Sequence, residues 1–155
     1  MAVDIFAKIG DIKGESLDDR HKEEIDVLSF SWGLTSTGGG GAAAGKATFH
    51  DLSFTHHIDK ASPKLLEACA TGAHLKDAVI THRKAGGKGQ EFLLVRMTDV
   101  IITGVTHGGS SDQSGAENVT LQFAKVDFEY RPQRPDGVLE PGIHFKYDLK
   151  ANKIG

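Results

Sequence analysis

One segment spells out a known chemical device. Gly40-Gly41-Ala42-Ala43-Ala44-Gly45-Lys46 fits G-x-x-x-x-G-K, the opening of a phosphate-binding loop. Such a loop needs Ser or Thr next, to hold magnesium, and then a helix whose first amides face the phosphates. Here the next residue is Ala47, and 47–58 alternates like a strand, so the segment reads as a surface loop. The eight histidines offer no metal-binding spacing. His56 and His57 are adjacent, so on a strand they point to opposite faces, and His50 is too far along to share a metal with His56 unaided. There is no cysteine pair and no His-x-x-x-His. Cys69 stands alone at helical spacing with Leu65 and Leu66, which is the setting of a small core residue and not of a nucleophile. No G-x-S-x-G is present. The paired carboxylates Asp18-Asp19 and Glu23-Glu24 fall in a polar segment and are expected to be solvated. The residue types therefore point away from an enzyme and imply no cofactor and no metal.

The elements that would carry these residues are mostly strands. A chain of 155 residues fits one domain, expected to cover 1–155. Period-two patterns run over 2–9, 24–33, 47–58, 77–84, 91–106, 118–130 and 143–149. The glycine-dense Ala85-Gly86-Gly87-Lys88-Gly89 suits a hairpin connection. The stretch 131–142 holds three of the four prolines and cannot be a central strand. One helix is signalled, with Ser62 as N-cap, Pro63 at the first helical position and Gly72 at its end. This is an all-β pattern with one short α-helix, a barrel or a sandwich. A net charge of -3 and a pI near 6.2 argue against nucleic acid as a partner, which requires Lys and Arg gathered on one face. No apolar run approaches the ~20 residues of a membrane span, so no membrane insertion is expected. Met1 to Gly10 lacks the pattern of a signal peptide, so the chain is expected to be made and folded in the cytoplasm.

Three strands carry a hint of function. In Ile25 to Trp32, Leu28, Phe30 and Trp32 share one face, expected to enter the core; Ile25, Val27, Ser29 and Ser31 share the other. Small hydroxyls suit a wet surface that something passes closely, and equally a plain solvated face. In the last long strand Val119, Leu121 and Phe123 have one parity and Val126, Phe128 and Tyr130 the other. A bulge near Ala124 and Lys125, or burial of both faces, would explain this. The strand from Glu91 carries apolar residues on both parities. Cover from the helix and cover from a second subunit both fit.

Several segments in order resemble the hemolysin-coregulated protein (Hcp) family. They are Met1 to Ser16, Glu24 to Gly33, the Gly-rich loop, Asp51 to Thr55, Lys60-Ala61-Ser62-Pro63, Arg83 to Gly87 and Glu117 to Ala124. His56-His57 and the region after Pro132 match it less. The resemblance implies a β-barrel of two antiparallel sheets with one helix, similar to phage tail tube proteins. It implies a homo-oligomer, six copies in a ring and rings stacked into the inner tube of a type VI secretion system. The partners it implies are a contractile sheath, a tip spike and small effector proteins in the lumen. The product would assemble in the cytoplasm and leave through that system without a cleaved signal peptide. Position by position, Ser29 and Ser31 fall where the family lines its lumen. The loop with Ser36, Thr37, Gly38, Gly39, Gly40, Gly41 and Lys46 falls where the family contacts neighbouring subunits or the next ring. Two other readings stand beside this one: a monomeric barrel that binds a ligand or chaperones an effector, and an Hcp-like domain fused to a toxin, which would need an extension beyond Gly155.

Overall fold

The computed structural model describes residues 2–36, 47–85 and 89–155. The strands are β1 (Val3–Ile9), β2 (Ile25–Val27), β3 (Ser29–Ser31), β4 (Leu34–Ser36), β5 (Ala47–Phe49), β6 (Leu52–His57), β7 (His74–Lys84), β8 (Glu91–Ser110), β9 (Gln113–Tyr130), β10 (Ile143–Asp148) and β11 (Lys153–Ile154), with one helix, α1 (Ser62–Thr71). All pairings are antiparallel. The large sheet runs β11-β10-β9-β8-β7-β1-β2, with β6 also on β9 and β3 on β6; β4 and β5 form a second, two-stranded sheet. The fold is all-β, with two sheets and one helix, as the period-two patterns require. No helix among the described residues is long and apolar enough to cross a membrane.

The hairpin of β8 and β9 organises the rest. One half of β9 carries β6, from Ala116 to Leu121, and the other half carries β10, from Lys125 to Tyr130. The change of parity falls between them. On β9 the residues of the core cluster are Val119, Leu121 and Phe123, then Val126; on β8 they are Val95 and Met97, then Val100 and Ile102. The ladder keeps its register through this point, Thr98 opposite Lys125 and Val100 opposite Phe123. Each strand therefore inserts a residue at the same level, Asp99 facing Ala124, and Asp99 takes the left-handed φ of 56°. The core face continues unbroken although the sequence period does not. One cluster of buried side chains, from Ala7 to Val126, results, with Leu65 and Ala68 of α1 closing over it.

The hydrogen-bond ladder does not close into a barrel. The circuit is completed along the chain, because β2 pairs with β1 and the next strand, β3, pairs with β6. Leu28 is the joint, its N–H donating to Thr55 O at 2.7 Å. This corrects the expected faces. Ile25 is fully buried, Val27, Phe30 and Trp32 are half-buried against the core, and Leu28 is 52% exposed. A strand that changes partner at its midpoint changes parity there.

The helix differs from expectation at its start. Ser62 is buried inside the first turn, and Ala61 occupies the cap position with no side-chain bond. Just before the helix Asp59 accepts the Ala61 N–H at 2.8 Å, and its own N–H donates to Ser62 Oγ at 3.1 Å. Leu66 is exposed, because it lies ~100° around the helix from the buried Leu65. Gly72 ends the helix at φ 65°, as its type predicts.

The segment 11–24 is not a free, solvated loop. Ser16 N–H donates to Glu24 O at 3.0 Å and Glu23 N–H to Ser16 O at 2.8 Å. A side chain at Gly14 would meet Glu24 O at 2.5 Å, so only glycine fits. Arg83 grips Asp18 through two bonds of 2.9 and 2.6 Å and Asp4 at 3.0 Å. Its guanidinium lies over the Phe6 ring at 4.9 Å, and His21 stacks on Phe6 at 4.4 Å. His21 in turn sits between Glu24 and Glu91, 3.0 Å from each. The Arg83 hydrogen bond pulls the Asp18 carboxyl down from its ordinary 3.8 to about 2. A depressed carboxylate stabilises the fold fully above its unfolded value and loses that contribution as pH falls through its folded value. Arg83→Ala should therefore lower the urea midpoint at neutral pH, and its gap to the unmodified protein should narrow as pH drops from about 4 toward about 2. A gap that stays constant over that window would contradict the clamp.

Candidate functional site

The alternation Leu52-Ser53-Phe54-Thr55-His56 on β6 splits that strand cleanly, with Leu52, Phe54 and His56 buried and Ser53 and Thr55 turned outward. β9 does the same with Asn118 and Thr120 outward and Val119 and Leu121 buried. The register then assembles two rows across four strands. Ser29, Thr55, Asn118 and Thr106 form one; Ser31, Ser53, Thr120 and Gly104 form the next. At ~4.8 Å per strand the rows are ~15 Å wide.

The rows are neutral and knitted together. Asn118 Oδ1 accepts from Ser53 Oγ at 2.9 Å and from Thr55 Oγ1 at 3.1 Å. Thr103 Oγ1 lies 3.0 Å from Thr120 Oγ1. A methyl group at Gly104 would approach Thr120 Oγ1 to 2.7 Å, so the missing side chain leaves room for that hydroxyl. The eight positions hold no Lys, Arg, Asp or Glu. Ser53 and Thr55 are held by Asn118, and with no fixed charge in the rows the face is polar without being a strong binder of any single charge.

The face rests on a buried ionisable bridge at its next level. Glu117 and His56 have no exposed side-chain surface, while His107 is 39% exposed. One Glu117 oxygen is 2.7 Å from His56 Nε2 and the other 2.6 Å from His107 Nε2, across neighbouring strands in register. A carboxylate out of water needs such donors on both oxygens. His56 Nδ1 has no hydrogen bond and lies 3.6 Å from Asp59 Oδ2. His57 points the other way and is exposed, as strand geometry requires. Among the described residues no group of three His, Cys, Asp or Glu is placed to hold a metal ion.

Of the residues singled out in the sequence, Ser29 and Ser31 are exposed on the hydroxyl face and Ser36 is exposed at the end of β4. Thr37, Gly38, Gly39, Gly40, Gly41 and Lys46 lie outside the described residues. Ala47, which follows the G-x-x-x-x-G-K segment, opens β5 and not a helix. Cys69 is half-buried and packed against the core. Asp18 and Glu24, expected to be solvated, are engaged by Arg83 and His21. Sequence reasoning missed Ser53, Thr55, Asn118 and Thr120, although their alternation with buried residues was the available signal.

The family model described as type VI secretion system effector, Hcp, matches residues 6–130. A protein named hcp1 from Pseudomonas aeruginosa is 47% identical over 159 residues, covering 98% of this chain and 98% of that protein. Among solved structures, Hcp1 from Salmonella typhimurium superposes with a TM-score of 0.84 at 41% identity, covering 100% of both chains. A type VI secretion system effector from Yersinia pestis gives 0.80 at 38% identity, over 94% of this chain and 99% of the other.

Removing one partner of a buried charged bridge leaves the others without compensation. Glu117→Ala should lower the free energy of unfolding by about 3–5 kcal/mol in urea titrations. Glu117→Gln, which keeps the shape and one acceptor oxygen, should lower it less. A loss below about 1 kcal/mol for the alanine variant would mean that the bridge contributes little.

Proposed function

The chain belongs to the Hcp family of type VI secretion proteins, and from that premise we propose that it is a structural subunit of the secretion tube, working by assembly with copies of itself and not by catalysis. In this reading six copies close a ring, rings stack, and the face of β3, β6, β9 and β8 lines the lumen. The sheath and tip spike would act on the outside and end of the tube. The finished tube would leave the cell through the same system, carrying small effector proteins within it. Head-to-tail contacts between identical subunits give a finite ring when the rotation closes. Ser36 and the 37–46 segment that follows it are proposed to meet a neighbouring subunit or the next ring.

The observation that carries the reading is the pair of hydroxyl rows. A channel that must take up and release cargo needs a surface that stays wet, presents no large apolar patch and holds no fixed strong partner. Ser29, Ser31, Ser53, Thr55, Asn118 and Thr120 have that character over three adjacent strands.

Ser31→Gln puts a longer side chain into the proposed lumen without touching the core. The mass of the assembly by light scattering should stay unchanged, while co-purification of lumen cargo falls several-fold. If the assembly dissociates instead, Ser31 lies in a subunit contact and the face assignment is wrong. If the unmodified chain is a stable monomer at high concentration, the tube reading itself fails.

A further inference from the structure

One carboxylate stands at the border of the otherwise neutral face. Asp51, in the turn between β5 and β6, is half-buried. Its Oδ1 accepts from Gln122 Nε2 at 2.9 Å and its Oδ2 from Thr103 Oγ1 at 2.8 Å. Gln122 follows Asn118 and Thr120 on the outward parity of β9, and Thr103 adjoins Thr120. The carboxylate is therefore built into the face and held by it. Both of its partners are neutral, and none of the ion pairs among the described residues includes it. Its orientation is fixed, and among the described residues its charge has no counter-charge.

Resting on the ring reading above, we propose that Asp51 forms an anionic belt at one level of the lumen, selecting cargo that presents a Lys- or Arg-rich segment. Closure of a ring brings one Asp51 from every subunit to the same height. A low-dielectric wall around a channel focuses the field of such a ring, and rings of aspartate in pores favour cations for the same reason. The hydroxyl rows beside the belt add wet, unselective contact, so charge and not shape discriminates between cargoes. Further along β6, His57 replaces the carboxylate at the other end of the face, so the belt is confined to one end. Six residue steps along the strand separate the two, roughly 20 Å.

The test uses the full chain and two labelled peptides of equal length, one Lys-rich and one Glu-rich, with retention measured by size exclusion at low salt. The unmodified assembly should retain the Lys-rich peptide at least about threefold better, and high salt should erase the difference. Asp51→Asn should bring the ratio to about one with the assembly mass unchanged. Asp19→Asn removes the same charge from the exposed part of the 11–24 segment and should leave the ratio as it was. The proposal is overturned if the unmodified assembly does not discriminate, if Asp51→Asn keeps the discrimination, or if Asp19→Asn removes it equally. It is also overturned if Asp51→Asn breaks the assembly, which would place Asp51 in a subunit contact. An unmodified chain that forms no ring defeats the underlying reading instead.

Discussion

The ladder between β8 and β9 carries the rest of the sheet: β7, β6 and β10 pair with it directly, and β1, β3 and β11 pair with those three. A hairpin of this length cannot stay flat, because paired strands twist. It must bend around its own core while keeping apolar side chains inward. The extra residue on each strand, Asp99 opposite Ala124, meets that demand without breaking register. On one side of the joint β9 takes β6 as its neighbour, and on the other it takes β10. The hydroxyl face exists only because the first of these halves turns Asn118 and Thr120 away from the core.

Charge placement follows from the same architecture. Where strands meet at the end of the hydroxyl rows, the core contains a carboxylate, and neighbouring strands supply an imidazole to each of its oxygens. Where the long segment after β1 returns, Arg83 from β7 holds it by Asp18 and packs on Phe6. Both are contacts of a carboxylate between elements that the tertiary fold brings together. The hydroxyl face shows the opposite choice, with neutral polar groups and no strong fixed charge in the rows.

Much of this was legible from periodicity, and what escaped it has a common cause. Alternation located the strands, exposed Ser29 and Ser31, and revealed the parity change in β9. It assigned Leu28 to the core wrongly because it treated 24–33 as one strand, whereas Ile25–Val27 and Ser29–Ser31 have different partners. Ser62 has the residue type of a cap, but the cap position falls one residue earlier, at Ala61, and Ser62 is buried inside the first turn. Asp18 and Glu24 read as solvated positions, and the Glu117 partner of His56 was not foreseen, because the contacts with Arg83, His21 and Glu117 are set by the folded chain. The family resemblance rested on ordered segments, from Met1 to Ser16 through Glu117 to Ala124, and it outweighed any single motif, including the misleading G-x-x-x-x-G-K.

The central claim is that this chain assembles with its hydroxyl face turned to a common channel. A cryo-electron microscopy map of the purified, unmodified assembly tests it directly. The account predicts a closed ring of six copies, with Ser31, Ser53 and Thr120 facing an open central lumen. A ring whose outer surface or subunit contacts contain those residues, or particles of single chains only, would contradict it.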